Sequence, residues 1–175
     1  MKNIIKYIFK KLPLLRSIVI KFLSIYEQHK SKKKWNVLIK NKLEIKLELG
    51  SGNKKGINGW TTVDIRNSDI NWDLIKGIPL PDNCVSAIYS SHLLEHIPYE
   101  QLIIFLNECR RILKPEGKFL VCVPNFRYYI DAYKEDKFFR ERDTWWYPGL
   151  IDTGSVIDQL NYIIYMKNEH KYMFD

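Results

Sequence analysis

The stretch LELGSGNKKGINGWTTVDI, Leu47 to Ile65, constrains the fold more than any other part of the chain. An apolar run ending at Leu49 leads into a glycine-rich turn, and a second β-type run, Thr61 to Asp64, follows at once. Two carboxylates, Glu48 and Asp64, bracket the turn. Runs of this kind read as strands of a parallel sheet. Neighbouring parallel strands normally need a crossover of about a dozen residues or more, most often a helix. Only Asn53 to Trp60 are available here, so the crossover must be abbreviated to a turn.

The rest of the chain completes the pattern. Leu43 to Leu49 and Thr61 to Asp64 are expected as strands, Asn71 to Leu74 as a short one, and Val85 to Ser90 as a buried one. Between Glu100 and Leu113, the residues Leu102, Phe105, Leu106, Cys109, Ile112 and Leu113 recur at helical spacing, and Pro115 with Gly117 ends the helix. Lys118 to Asn125 is then a near-continuous apolar strand. Strands alternating with a helix in this way predict an α/β domain, a Rossmann-like parallel sheet covered on both faces. No internal repeat is visible. The organisation expected is an arm over 1–42 and a domain over 43–175, with a core at 43–125 and an aromatic-rich lid or acceptor segment at 126–175.

Charge supports that division. Of 175 residues, those up to Lys46 hold thirteen Lys/Arg against two acids, and the remainder hold fifteen against eighteen. A nucleic-acid binder would carry its basic surface on the folded domain, so no nucleic-acid partner is expected. Lys6, Lys10, Lys11, Arg16 and Lys21 interrupt the apolar residues of the arm too often for a membrane span. Lys2, Lys6, Lys10, Arg16 and Lys21 share one side of a helical wheel, with Ile4, Ile8, Leu15, Val19, Phe22 and Tyr26 towards the other; Pro13 divides the helix. This pattern, followed by the basic stretch His29 to Trp35, suits a helix lying on an anionic membrane surface. An amphipathic helix packed on its own domain or on a partner chain is the alternative. Cys84, Cys109 and Cys122 form no C-x-x-C pair, which points to reduced thiols and a cytoplasmic setting, with Cys109 and Cys122 as small core residues.

In an open parallel sheet, ligands bind beyond the carboxyl ends of the strands, where a glycine turn lets backbone N–H groups approach closely. A dinucleotide site would require a third glycine where Lys55 stands and a full helix before the second strand. The ordered series LELGSG, GWTTVDI, WDL, IPLPDN, SAIYSSHLLEHI, RILKPEGKFLVCVPN and HKYMFD instead resembles the class I S-adenosylmethionine-dependent methyltransferases, in particular a small bacterial group. The resemblance is continuous from Leu47 to about Asn125. It implies S-adenosyl-L-methionine as cofactor, with Glu48 and Gly50, Ser51 and Gly52 at its methionine end, Asp64 and Ile65 at the ribose, and Asp73 and Leu74 at the adenine. Ser90, Ser91 and His92 would face the sulfonium and the acceptor.

His92 is the first candidate for a general base towards a hydroxyl acceptor, and His170 the second. His92 to His96 also spells H-x-x-E-H, with Glu169 downstream, a zinc-peptidase signature. The strand running into His92 and the proline at Pro98 leave little helix to carry both histidines, so no metal is expected. The aromatic segment Phe126 to Leu150 suits a sugar or base acceptor, or a lid or interface. The group's frequent link to cell-surface polysaccharides implies a glycan or small-molecule acceptor. Two departures stand out: Ser86 replaces an acid, and the chain stops at Asp175 where relatives continue into further strands, which would leave the last strand as an apolar edge. A truncated, non-catalytic accessory protein on a membrane is the alternative reading.

Overall fold

The computed structural model describes residues 26–27, 29–40, 44–137 and 153–175. The helical-wheel reading of Lys2 to Phe22, the strand start at Leu43 and positions 138–152 of the aromatic segment lie outside the described residues.

Among the described residues, five parallel strands form one sheet: β1 (Ile45–Leu49), β2 (Trp60–Asp64), β3 (Ile70–Asn71), β4 (Val85–Ser91) and β5 (Leu113–Cys122), in the order β3-β2-β1-β4-β5. Ile45, Leu47 and Leu49 are buried while Lys46 and Glu48 are half-buried, the period-two alternation of a strand. Strand order reverses at β1, which pairs with β2 on one side and β4 on the other. This is the doubly wound, Rossmann-like arrangement, and its switch point is where a ligand crevice opens.

The β1–β2 crossover contains no helix. In its place Asp69 accepts hydrogen bonds from Gly56 N at 2.8 Å and Thr62 N at 3.1 Å, while the Thr62 hydroxyl donates to Lys54 O at 3.1 Å. Gly56 lies so close to β2 that a Cβ there would stand 2.0 Å from Trp60 O, and only glycine fits.

Ser86 is the extra residue of a bulge between β1 and β4, since Ile45 pairs with Val85 and Lys46 with Ala87. Its hydroxyl donates to Ile45 O at 2.9 Å, so the serine satisfies a carbonyl at the irregularity. On the other side of β4, Leu113 pairs with Val85 and Lys118 with Ala87, which loops out residues 114–117.

The α-helices among the described residues are α1 over 29–40, α2 (Tyr99–Ile112), α3 (Phe126–Lys134) and α4 (Ile157–Tyr165), the last two in contact with each other. α2 buries Leu102, Phe105, Cys109 and Ile112, the expected face. α1 contributes Trp35 and Leu38 to the central apolar cluster, and its Ser31 hydroxyl donates to Asn71 O at 2.6 Å. The basic stretch His29 to Trp35 thus has one face on the sheet, and the core begins before residue 43.

Three local expectations are corrected. Asn71 to Leu74 is not a strand beyond Asn71: Asp73 accepts from Ile75 N and caps a 3-10 turn, Leu74–Lys76. The last strand stops at Cys122, because Asn125 caps α3 through its contact with Arg127 N. Cys109 is fully buried, and burial pushes its thiol up to about 12, but Cys122 is exposed on β5, an edge strand of the sheet among the described residues.

Candidate functional site

The carboxyl ends of β1, β2 and β3 converge on Asp64. Gly52 N donates to its Oδ2 at 2.8 Å and Ile65 N to its Oδ1 at 2.6 Å. Each oxygen keeps acceptor capacity after one such bond. Trp72 N reaches Asp64 O at 2.7 Å, so the residue leaving β3 is tied to the same point. Gly50, at φ 71°, donates to Val63 O at 2.9 Å and turns the chain away from β1.

A cavity of about 140 Å³ opens here, lined by Gly50, Asp64, Ile65, Trp72, Asp73, Leu74, Ile75, Leu93, His96 and Ile97. It is smaller than the roughly 300–1,000 Å³ of a pocket enclosing a whole drug-sized ligand, and suits one ring system. Its wall is mostly apolar, with Asp64 and Asp73 as the acidic residues of the lining. The Trp72 indole donates to Gly77 O at 2.7 Å, which holds its ring in place. Asp73 is engaged by Ile75 N at 3.3 Å and by Lys76 Nζ at 3.3 Å.

Of the cofactor residues expected from the sequence, Gly50, Asp64, Ile65, Asp73 and Leu74 share this cavity. Glu48, Ser51, Gly52 and Ser90 lie outside its lining. Glu48 is 3.6 Å from Lys54 Nζ. Ser51 and Ser90 are buried, and their hydroxyls have no hydrogen-bond partner among the described residues. Ser90 pairs with Leu49, so it sits level with the end of β1. Trp72, Ile75, Leu93, His96 and Ile97 went unassigned on sequence; Trp72 and Ile75 flank Asp73 and Leu74, which were assigned, and that adjacency was the available signal.

The two candidate bases do not meet. His92 adopts φ 54°, its N–H donates to Cys122 O at 3.0 Å, and its imidazole is 66% exposed with Nδ1 3.1 Å from Glu95 Oε1. His170 is buried, and its Nδ1 lies 2.5 Å from Ile163 O. Desolvation lowers the His170 pKa, which disfavours its charged form. Its neighbour is His96, with ring centroids 4.9 Å apart. His92 lies before the 3-10 turn Leu94–His96, so no helix presents both histidines of H-x-x-E-H on one face. Glu169 meets His96 through its backbone carbonyl, at 3.2 Å from Nδ1.

The closing segment is fastened across these residues. Lys171 N and Tyr172 N donate to Glu95 O at 2.6 and 3.3 Å, and Tyr172 stacks on Tyr99 at 5.8 Å.

Residues 47–121 match the family model described as "Methyltransferase domain". A probable S-adenosylmethionine-dependent methyltransferase of Mycolicibacterium smegmatis is 38% identical over 63 residues, covering 36% of this chain and 22% of that protein. A solved SAM-dependent methyltransferase from Archaeoglobus fulgidus is 19% identical, with a TM-score of 0.42, over 63% of this chain and 59% of its own. The chain thus spans about a fifth of the curated relative's length.

Proposed function

We propose that the chain is an S-adenosylmethionine-dependent methyltransferase whose cofactor binds at the carboxyl ends of β1, β2 and β3. The observation that carries this reading is the convergence of Asp64, Gly50 and Asp73 on one cavity inside the segment that matches a methyltransferase domain. The residues present suit such a ligand. Asp64 retains lone pairs for the ribose diol, an apolar wall with a fixed indole suits the adenine, and the orphaned Ser51 and Ser90 hydroxyls sit where the glycine turn and β4 meet. Glu48 suits an ammonium group, for which its present partner Lys54 is a long, exposed stand-in.

When bound, the cofactor supplies an electrophilic methyl group on a sulfonium. The protein's task is then alignment and exclusion of water. Asp64 and the 50–52 turn orient one end, Trp72 and Leu74 the other. His92, exposed at the end of β4 and steadied by Glu95, accepts a proton from an acceptor hydroxyl. His170, buried and bonded to Ile163 O, is the poorer base of the two.

The acceptor we propose is a glycan or small-molecule hydroxyl, and the N-terminal basic segment brings the protein to an anionic membrane surface where lipid-linked glycans are built. Exposed Lys30, Lys32, Lys33 and Lys40 on α1 extend that basic surface into the described residues, in which no helix is long and apolar enough to cross a membrane. Incubation with methyl-labelled cofactor and lipid-linked glycans tests the acceptor, and label in the glycan fraction is expected. Flotation with phosphatidylserine vesicles tests the surface; equal recovery on neutral phosphatidylcholine would exclude charge-driven binding.

A further inference from the structure

Glu95, His96 and His170 place a carboxylate oxygen and two ring nitrogens within 4.8 Å of one another. We propose that these three side chains form a binding site for a divalent transition-metal ion of the zinc class, bound by Glu95 Oε2 and the Nε2 atoms of His96 and His170.

The hydrogen bonds around the three groups select those atoms. His96 Nδ1 lies 3.2 Å from Glu169 O and His170 Nδ1 lies 2.5 Å from Ile163 O. A backbone carbonyl only accepts, so each Nδ1 must carry the proton, and each neutral ring then holds a free lone pair on Nε2. Metal-binding histidines are oriented in this way, by donating the other ring N–H to a carbonyl or carboxylate.

Glu95 is arranged to match. Its side chain is 1% exposed, Oε1 is 3.1 Å from His92 Nδ1, and Oε2 is buried without a partner among the described residues. An unpaired buried carboxylate oxygen is costly, and a cation at this point removes the cost. His92 thereby becomes a positioning residue for the ligand carboxylate, a role separate from any part in proton transfer.

The cluster joins distant parts of the chain. Glu95 and His96 lie on the turn after β4 and His170 in the closing segment, held together by Lys171 N and Tyr172 N on Glu95 O. Two imidazoles and a carboxylate favour zinc or its neighbours over magnesium or calcium, which prefer all-oxygen sites. Ligand atoms on a tetrahedral zinc stand roughly 3.3 Å apart for bonds of 2.0–2.1 Å, so binding draws the three groups inward and leaves a fourth position for water. The site differs from an H-x-x-E-H peptidase centre, because His92 is not a ligand and Glu95 is one.

The test uses the full, tag-free chain, stripped with a chelator and titrated with Co²⁺ and Zn²⁺ against a chromophoric competitor. One ion per chain is expected, with the visible bands of tetrahedral cobalt and no displacement by excess Mg²⁺. Glu95→Gln and His96→Asn should each weaken binding by more than about 100-fold. His92→Ala, which removes the hydrogen bond to Glu95 but no metal ligand, should weaken metal binding by about 10–100-fold. His29→Ala should bind as the parent does. Circular dichroism of each metal-free variant reports folding separately, and a variant that is unfolded is replaced in the comparison by the other ligand substitution. Absence of saturable binding in the parent, or unchanged affinity in both Glu95→Gln and His96→Asn, overturns the site. Neither result bears on cofactor binding at Asp64, so the two readings fail separately.

Discussion

Gly50 stands against Leu93: a Cβ at Gly50 would lie 2.7 Å from Leu93 Cβ, closer than side-chain carbons approach. The turn after β1 and the residue before the 3-10 turn after β4 are thus packed backbone to side chain, which sets one edge of the cavity. Gly50→Ala meets this contact and a left-handed φ of 71° together. A loss of about 1–3 kcal/mol is expected, read as a fall in Tm of about 2–4 °C per kcal/mol. Leu93→Gly removes the opposing Cβ together with the Cδ atoms at 2.9 and 3.0 Å, so the double variant should lose less than the sum of the single ones. Strict additivity would show that the contact does not govern the turn.

Trp35 anchors α1 on the domain, 1% exposed and edge-to-face with Trp72 at 6.4 Å between centroids. Trp35→Ala should cost about 3–5 kcal/mol in denaturant unfolding. Trp35→Phe should cost much less, because the indole Nε1 has no hydrogen-bond partner among the described residues and losing it breaks nothing. Equal losses in the two variants would show that the nitrogen is bonded after all.

Acid stability is expected to depend on Glu108. Its hydrogen bonds from Arg111, at 2.9 Å, hold the carboxyl below its ordinary range. A carboxyl lowered in the folded state stabilises the protein above its unfolded pKa of about 4.3, and that contribution is lost as pH falls through the folded value. Asp69 acts in the same direction: burial alone would raise it, but hydrogen bonds from Thr62 and Gly56 outweigh burial. Glu108→Gln should be less stable at pH 7 by about 1–3 kcal/mol and show a shallower loss towards pH 3. Denaturant midpoints at pH 7, 5 and 4 measure this, and an unchanged pH slope would contradict it.

Much of this was legible from Leu47 to Asp64. Glycines at 50 and 52 and an acid ending the next strand define the turn, and the shortage of residues between the strands forces a loop where a helix is usual. The tertiary brace from Asp69 that makes the loop possible was not legible, since nothing local marks an acid as the partner of Gly56. Asp73 before Leu74 was an N-cap signal overshadowed by the apolar run. Cys122 was placed in the core because an apolar strand reads the same whether central or at an edge; Leu120 and Val121, 50% and 40% exposed, show the edge. The meeting of His96 with His170 depends on chain return over long separation, which spacing along one strand or helix does not encode.

Cofactor binding at Asp64 is the claim on which the functional reading stands, and thermal unfolding with and without S-adenosylmethionine tests it most directly. A ligand at a hundredfold excess over its Kd stabilises by about 2.7 kcal/mol, or a rise of about 5–10 °C for a domain of this size. The parent protein should show that rise, and Asp64→Ala, compared with its own ligand-free Tm, should show little or none at the same concentration. No rise in the parent at millimolar cofactor, or an equal rise in Asp64→Ala, would contradict the account.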